Sequence, residues 1–350
     1  VGTIRIAVPT LSVGLALAAS AAVAPLNRAV AQPLGKASCD RFAAPRGSDS
    51  NPGTVREPFE TVERLARSLR PGETGCLGSG LYGSDLHLRQ GGVQGKRLTL
   101  RPAPGAKATV CGFVVFMPGA GYWRLTGLRI DGSCSSQNTI QIYADHATLD
   151  HDDVTNRHLG PSCVLLGYRT EGNPRAIRIQ HNRVHACGRR GSHWEHGIYA
   201  SSPRSARITD NYVYDNAGFG IHLYADAQST LVERNVVVAS GTESGLVFGG
   251  AATSASSGNL VRHNIFSGNA KYGASSSWDG PIGDANVLAA NCFWGNRDGP
   301  FPSTRVGFLP QRNVKANPRF VAPAAGDYRL LIGSRCDRME PRGHVGLSPG

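Results

Sequence analysis

The chain has 350 residues, a formal net charge of +12 and eight cysteines, with 40% hydrophobic and 7% aromatic residues. That composition excludes a disordered or collagen-like polymer, and the basic balance favours anionic partners without choosing among them. No run of five or six consecutive basic residues and no nucleic-acid module is present, so nucleic acid is not an expected partner.

Residues 1–31 carry Arg5, an apolar run of small residues from about Leu11 to Ala24, and Ala29-Val30-Ala31 before Gln32. This is the pattern of a secretory signal with a small-residue cleavage site. The run is short for a membrane span and is interrupted by Pro9 and Pro25, so stable membrane insertion is not expected. A secreted, extracytoplasmic location follows, and with it disulfides rather than metal ligation for the eight cysteines, none of which forms a C-x-x-C pair.

After the loop Ser48 to Gly53, Pro58 to Leu69 places Phe59, Val62, Leu65, Ala66 and Leu69 at helical spacing, with Pro58 suited to a first helical turn. This predicts a short helix over the N-terminal end of whatever follows. Segments such as Arg97 to Leu100 and Trp123 to Leu125 then read as strands separated by Pro and Gly turns.

From about Gln137 to Asn296 a pattern recurs. Its clearest copies lie in Ala206 to Gly250: an apolar residue, two polar residues ending in Asn, an apolar residue two further on, a Gly-rich link and a Gly-apolar strand. Ile208 and Val213, five apart, cannot share one face of a straight strand, so a bend intervenes, and Asn211 is expected to adopt its left-handed conformation. In register, Asp152, Asn182, Asn211, Asn235, Asn264 and Asn291 form one column, and Thr139-Ile140, Gly197-Ile198, Gly220-Ile221, Gly245-Leu246 and Gly273-Ala274 another. Successive spacings of 30, 29, 24, 29 and 27 residues in the Asn column mean stacked coils that bury their apolar side only against their neighbours.

These columns resemble the right-handed parallel β-helix superfamily of pectate-lyase-like proteins, over roughly Cys39 to Cys336. The fold expected is therefore all-β: a right-handed parallel β-helix solenoid spanning 39–340, with the helix of 58–69 capping its N-terminal end and 297–350 as a closing segment in which Asp327 to Leu331 lies over the last coil. The resemblance implies that the Asn ladder occupies the turn between the second and third strands of each coil. It also implies that the Gly-apolar strand is the first, whose outer face commonly floors a polysaccharide cleft. Neighbouring-coil geometry favours the pairs Cys39 with Cys76, Cys111 with Cys134, Cys163 with Cys187, and Cys292 with Cys336.

Two coils are swollen. Cys163 to Gly197 takes 34 residues against 23 for the next coil, with insertions in Arg169 to Pro174 and Cys187 to His196. Packing requires neither, so both are candidate binding walls. Alternation turns Tyr199, His222 and Tyr224 outward beside the second insertion, with Gln141 and Tyr143 in the same columns earlier and Asp226, Glu243, Lys271 and Tyr272 flanking.

His196, Tyr199, His222 and Lys271 are the expected catalytic set. His193, Trp194, Glu195, Tyr224, Asp226, Arg169, Tyr143 and Gln141 are the expected substrate contacts. The chemistry fits a lyase or epimerase on an acidic polysaccharide or cell-envelope glycan. The alternatives are a glycosidase using Glu195, Asp226 or Glu243, and a non-catalytic glycan-binding or adhesion module. The polar cluster His151-Asp152-Asp153 and the column His151, His181, His263 read as structural or solvated. No metal site is expected, since Gly191 and Gly197 break any helix through His193 and His196. No cofactor is required, with calcium the one ion left open, and the protein is expected to act as a monomer.

Overall fold

The computed structural model describes residues 1–2, 39–304 and 306–343. The leader read at 1–31 lies outside the described residues apart from its first two. From Cys39 onward the chain is an all-β, right-handed parallel solenoid. Each regular coil contributes one strand to each of three sheets, as in Ile140–Ile142, Thr148–Asp150 and Asp153–Thr155. The sheets are parallel ladders in which a strand pairs with its counterparts one coil before and after, with Leu246–Ala251 also turning back into a short antiparallel pair with Ser254–Ala255. Ile140 thus pairs with Val164, Val164 with Ile198, Ile198 with Ile221, and Ile221 with Leu246. Val164 belongs to a coil that the Gly-apolar column passes over, because Cys163 stands where the other coils have Gly or Thr.

In the sheet of Ile140–Ile142 the three-residue strands put their two end residues inward and the middle one outward, whereas in the other two sheets the middle residue, such as Leu149, Val154 or Ile179, faces the core. Ile198 and Ala200 are fully buried, as are Ile221 and Leu223, and so is Trp123 near the N-terminal end. The N-terminal end is covered by the helix Val62–Ser68, whose Val62, Leu65 and Ala66 are buried. This helix is shorter than the expected 58–69. Thr61 caps it by accepting the Arg64 N–H, which places Pro58 before the helix, and Phe59 bridges to Ala43 as extended chain. The sequence pattern missed this boundary because Phe59 faces the core from either conformation.

The Asn column is continuous. The side-chain oxygens of Asn182, Asn211, Asn235, Asn264, Asn291 and Asn313 accept the backbone N–H of the preceding member, from Asp152 to Asn291, at 2.9 to 3.0 Å. Their amides return to a carbonyl of the coil before, as from Asn211 to Ile179. The left-handed residue of this turn is the one before the Asn, a correction to the expectation: His151, His181, Asp210, Arg234, His263 and Ala290 have φ between 51° and 61°. The Asn keeps an ordinary backbone so that its side chain can point along the stack.

A second ladder, unread in the sequence, runs in two pieces at the turn before the Gly-apolar strand: Asn216 accepts the Cys187 N–H, and Asn269 and Asn296 accept those of Ser240 and Asn269, with the interruption at Ser240, where Ser stands in place of Asn. It accounts for the glycines there. A Cβ on Gly197 would stand 2.7 Å from the Asn216 amide nitrogen and 2.7 Å from the Gly220 carbonyl oxygen.

Four disulfides join Cys39 to Cys76, Cys111 to Cys134, Cys163 to Cys187 and Cys292 to Cys336, the pairs expected, and among the described residues no cysteine is free. At the C-terminal end Phe301 and Phe308 pack on Phe293 and Phe248. The strand Asp327–Leu330, expected over the last coil, instead lies along the side of the solenoid: Tyr328 packs on Tyr212 and Tyr214, where a row of outward apolar residues needs cover. Asp153, expected on the solvated side, is buried there and bonds to His185. No described helix is long and apolar enough to cross a membrane.

Candidate functional site

The outward column of the first-strand sheet runs Val115, Gln141, Leu165, Tyr199, His222, Val247, Ser275. It changes character at Tyr199. From there a cleft of about 660 Å³ opens, floored by Tyr199, His222, Tyr224 and Val247. His193 and Trp194 from the long insertion, Phe219, Glu243, Lys271, Tyr272 and Asp279 wall it. A volume of this size fits the usual range for ligand sites.

The floor is an aromatic stack. The His222 ring lies 4.9 Å from Tyr199, 5.2 Å from Tyr224 and 4.9 Å from Phe219, each nearly parallel, with the edge of His196 at 4.2 Å. Parallel pairing of Tyr199 with His222 sets the first contact, and two-residue alternation sets the contact with Tyr224. The Tyr224 ring can spread over the next coil because residue 249 is glycine, where a Cβ would come within 2.7 Å of the ring. Its hydroxyl donates to Asp279 at 2.9 Å.

His196 differs from the outward group expected. It is buried, its backbone N–H donates to Ser162, and its Nδ1 accepts the Phe219 N–H at 3.2 Å. An acceptor Nδ1 places the ring proton of the neutral form on Nε2. Burial pushes its pKa down to about 3. His222 is also held neutral, by burial first and the neighbouring His196 second, well below the ordinary 6.5. Its Nδ1 is a buried polar atom without a hydrogen-bond partner. Burial raises the Tyr199 hydroxyl, and burial with the Asp279 carboxylate pushes Tyr224 up to about 12, so both phenols stay protonated at neutral pH.

Glu243 organises the opposite wall. One carboxylate oxygen accepts from Lys271 at 2.8 Å and from His193 at 2.7 Å, while Lys271 stays about two-fifths exposed. The insertion is fastened at its root and midway along it. The Cys163–Cys187 disulfide holds its root, and Thr242 donates to the Ser192 carbonyl. Trp194 is left 84% exposed at the rim.

Five expected contacts lie elsewhere. Glu195 is folded inside the insertion, accepting the Arg189 N–H at 2.6 Å and pairing with the Arg189 guanidinium, so it shapes the loop rather than the cleft. Asp226 is spent on Arg204 and Gln228. Arg169, on the other insertion, does not line the cleft. Gln141 accepts from the Tyr143 hydroxyl two coils before Tyr199, closing that pair on itself. Phe219 and Asp279 were not singled out from the sequence. Asp279 was within reach of the register, since Ser277 shares the column of Tyr224 through Gly249 and the strand Ala274–Trp278 leads into it.

Among the described residues the His193, Glu195, His196 spacing gathers no metal-ligand group. The glycosidic alternative loses Glu195 and Asp226, and the carboxylates that line the cleft are Glu243 and Asp279.

Comparison with known proteins bears on the fold. A family model described as "Right handed beta helix region" matches residues 113–299, more than half of the chain. The crystal structure of pectate lyase Pel9A superposes with a TM-score of 0.63 at 14% identity, covering 88% of this chain and 89% of that one. A GH136 lacto-N-biosidase from Eubacterium ramulus superposes with a TM-score of 0.51 at 12% identity, covering 79% of this chain and 63% of that one. Among curated proteins, the uncharacterized protein YwoF of Bacillus subtilis (strain 168) is 30% identical over 71 residues, which span 20% of this chain and only 15% of the relative. At these identities the two superpositions are likenesses of fold.

Proposed function

The chain belongs to the right-handed β-helix family, and from that premise we propose that it is an exported carbohydrate-active protein, a lyase or epimerase acting on an acidic polysaccharide. The observation that carries the reading is the floor of the cleft. A flat stack of Tyr199, His222 and Tyr224 suits the face of a sugar ring, and a half-exposed Lys271 stands on the wall beside it. Four disulfides and the net charge of +12 support export and an anionic partner.

In this reading Lys271, with His193 beside it, faces the uronate carboxylate and makes the C5 proton more acidic. His222, neutral before the substrate arrives, takes that proton. A bound carboxylate offsets the burial that lowers the proton affinity of His222. In elimination the C4–O bond then breaks as the C4–C5 double bond forms, and the leaving oxygen receives the proton of Tyr199. In epimerisation a proton is returned to C5 from the other face instead. His196 is a positioning residue: it holds Phe219, which stacks on His222.

The test is incubation of the mature protein with a panel of polyuronates, neutral glycans and peptidoglycan. New ultraviolet absorbance from unsaturated ends is the expected result, or altered C5 configuration by NMR for the epimerase. A second reading, glycoside hydrolysis, is favoured by Glu243 and Asp279 lining the same cleft, and reducing ends without absorbance select it. Glycan binding with neither product would replace both readings by a binding module.

A further inference from the structure

We propose that Asp150, His151 and His181 form a binding site for a transition-metal ion of the zinc or copper type, outside the cleft, that fastens two successive coils. Asp150 ends the second strand of its coil, His151 is the left-handed residue that follows it, and His181 is the equivalent left-handed residue one coil later. Stacking of coils brings the two imidazoles face to face at 4.7 Å. Their Nδ1 atoms converge on one carboxylate oxygen of Asp150, at 2.7 Å from His151 and 3.0 Å from His181.

One nitrogen from each ring and one carboxylate oxygen, all within 4.8 Å of one another, make a three-ligand set. Ion-to-ligand distances of about 2.0 to 2.2 Å at tetrahedral angles set ligand atoms about 3.3 to 3.6 Å apart, so the imidazoles, now 2.7 and 3.0 Å from the Asp150 oxygen, need only swing outward slightly to admit an ion. Two imidazoles and a carboxylate suit zinc, copper or nickel and discriminate against calcium and magnesium, which take oxygen ligands.

The surroundings also fit. Asp150 is buried, and its other oxygen pairs with the Arg124 guanidinium, which fixes the carboxylate while leaving the shared oxygen to the histidines and to a 3.3 Å contact from Gln180. The side chains of His151 and His181 are 38% and 24% exposed, so an ion can enter and complete its shell with water. Binding requires each ring to carry its proton on Nε2 instead of Nδ1. That tautomer costs little in a half-exposed imidazole and frees both Nδ1 lone pairs.

The test uses the full chain after chelator treatment, titrated with zinc chloride by calorimetry and with cobalt chloride by absorption. One equivalent per chain and a raised melting temperature with zinc are expected. His151→Asn and His181→Asn are the informative variants, because Asn tolerates the left-handed backbone and the coil should still fold. Each should weaken zinc at least about tenfold, and the double variant should lose both the binding and the thermal shift. His193→Ala, in the cleft, should leave zinc binding unchanged. Absence of binding in the native chain, or unchanged binding in the double variant, overturns the site. None of these readouts depends on turnover of a glycan.

Discussion

The Asn ladder and the cleft floor are built from the same device, a column of polar side chains one coil apart, and they use it in opposite ways. In the ladder each carboxamide bonds along the stack to the backbone of its neighbours, as Asn235 does with the Asn211 N–H, the Ile208 carbonyl and Asn264. Nothing is left over. On the cleft floor the rings of Tyr199, His222 and Tyr224 stack on one another, and His222 keeps a buried nitrogen without a partner. A buried polar atom held unsatisfied costs stability. Polar groups spent on the backbone hold the solenoid together, and the unpartnered His222 nitrogen differs from others such as Thr230 Oγ1 and Ser240 Oγ in that its ring lines an open cleft.

The contrast is broken or sharpened by substitutions on either side. The largest effect expected is on turnover. His222→Ala should lower kcat by about 10² to 10⁴ with a small change in melting temperature, measured on the polyuronate identified by the screen. Equal loss of folding and activity would make His222 a packing residue.

Asn235→Ala should do the reverse. It strands several buried backbone and amide groups at about 1–3 kcal/mol each, so urea denaturation should show a loss of roughly 3–5 kcal/mol, with turnover per folded molecule retained. His196→Ala falls between the two. It strands the Phe219 N–H and should cost about 1–3 kcal/mol in stability while also disturbing the floor, so kcat falls less than for His222→Ala.

Trp194→Ala, at the exposed rim, should weaken glycan binding by only about three- to tenfold, seen by calorimetry, and leave stability unchanged.

A pH dependence separates the two histidines of the floor from the ladder. His196 and His222 are depressed in the folded state, His196 to about 3 against an ordinary 6.5. Between these values the unfolded chain binds more protons than the folded one. The stability from keeping both neutral is therefore complete above about 6.5 and drains as pH falls toward 3. Denaturant midpoints measured from pH 7 down to 5 should fall less steeply in a His196→Phe, His222→Phe variant than in the native chain.

The repeat was legible because a solenoid writes its geometry into local sequence. Alternation gave the inward and outward faces of the first strands, and the Asn spacing gave the coil length and hence the partners of Cys111 and Cys163. The excess length of the coil between Cys163 and Gly197 also pointed to the wall that carries His193 and Trp194. What could not be read was how each polar group resolves its bonds. Glu195 and Asp226 look available in sequence and are consumed by Arg189 and Arg204, whose approach depends on loop closure. His196 looks outward and is buried because Phe219 folds back over it from the next coil.

By itself, then, the amino-acid order determined the parallel β-helix, its register and the column that bears the aromatic floor, since each depends on contacts repeated at every coil. Only the tertiary structure decided which members of that column face an open cleft, that Glu243 and Asp279 join them, and that Asp150, His151 and His181 converge. These meetings occur once, as between Lys271 and Glu243, 28 residues apart, Asp150 and His181, 31 apart, or Tyr224 and Asp279, 55 apart, and no periodicity records an event that happens a single time.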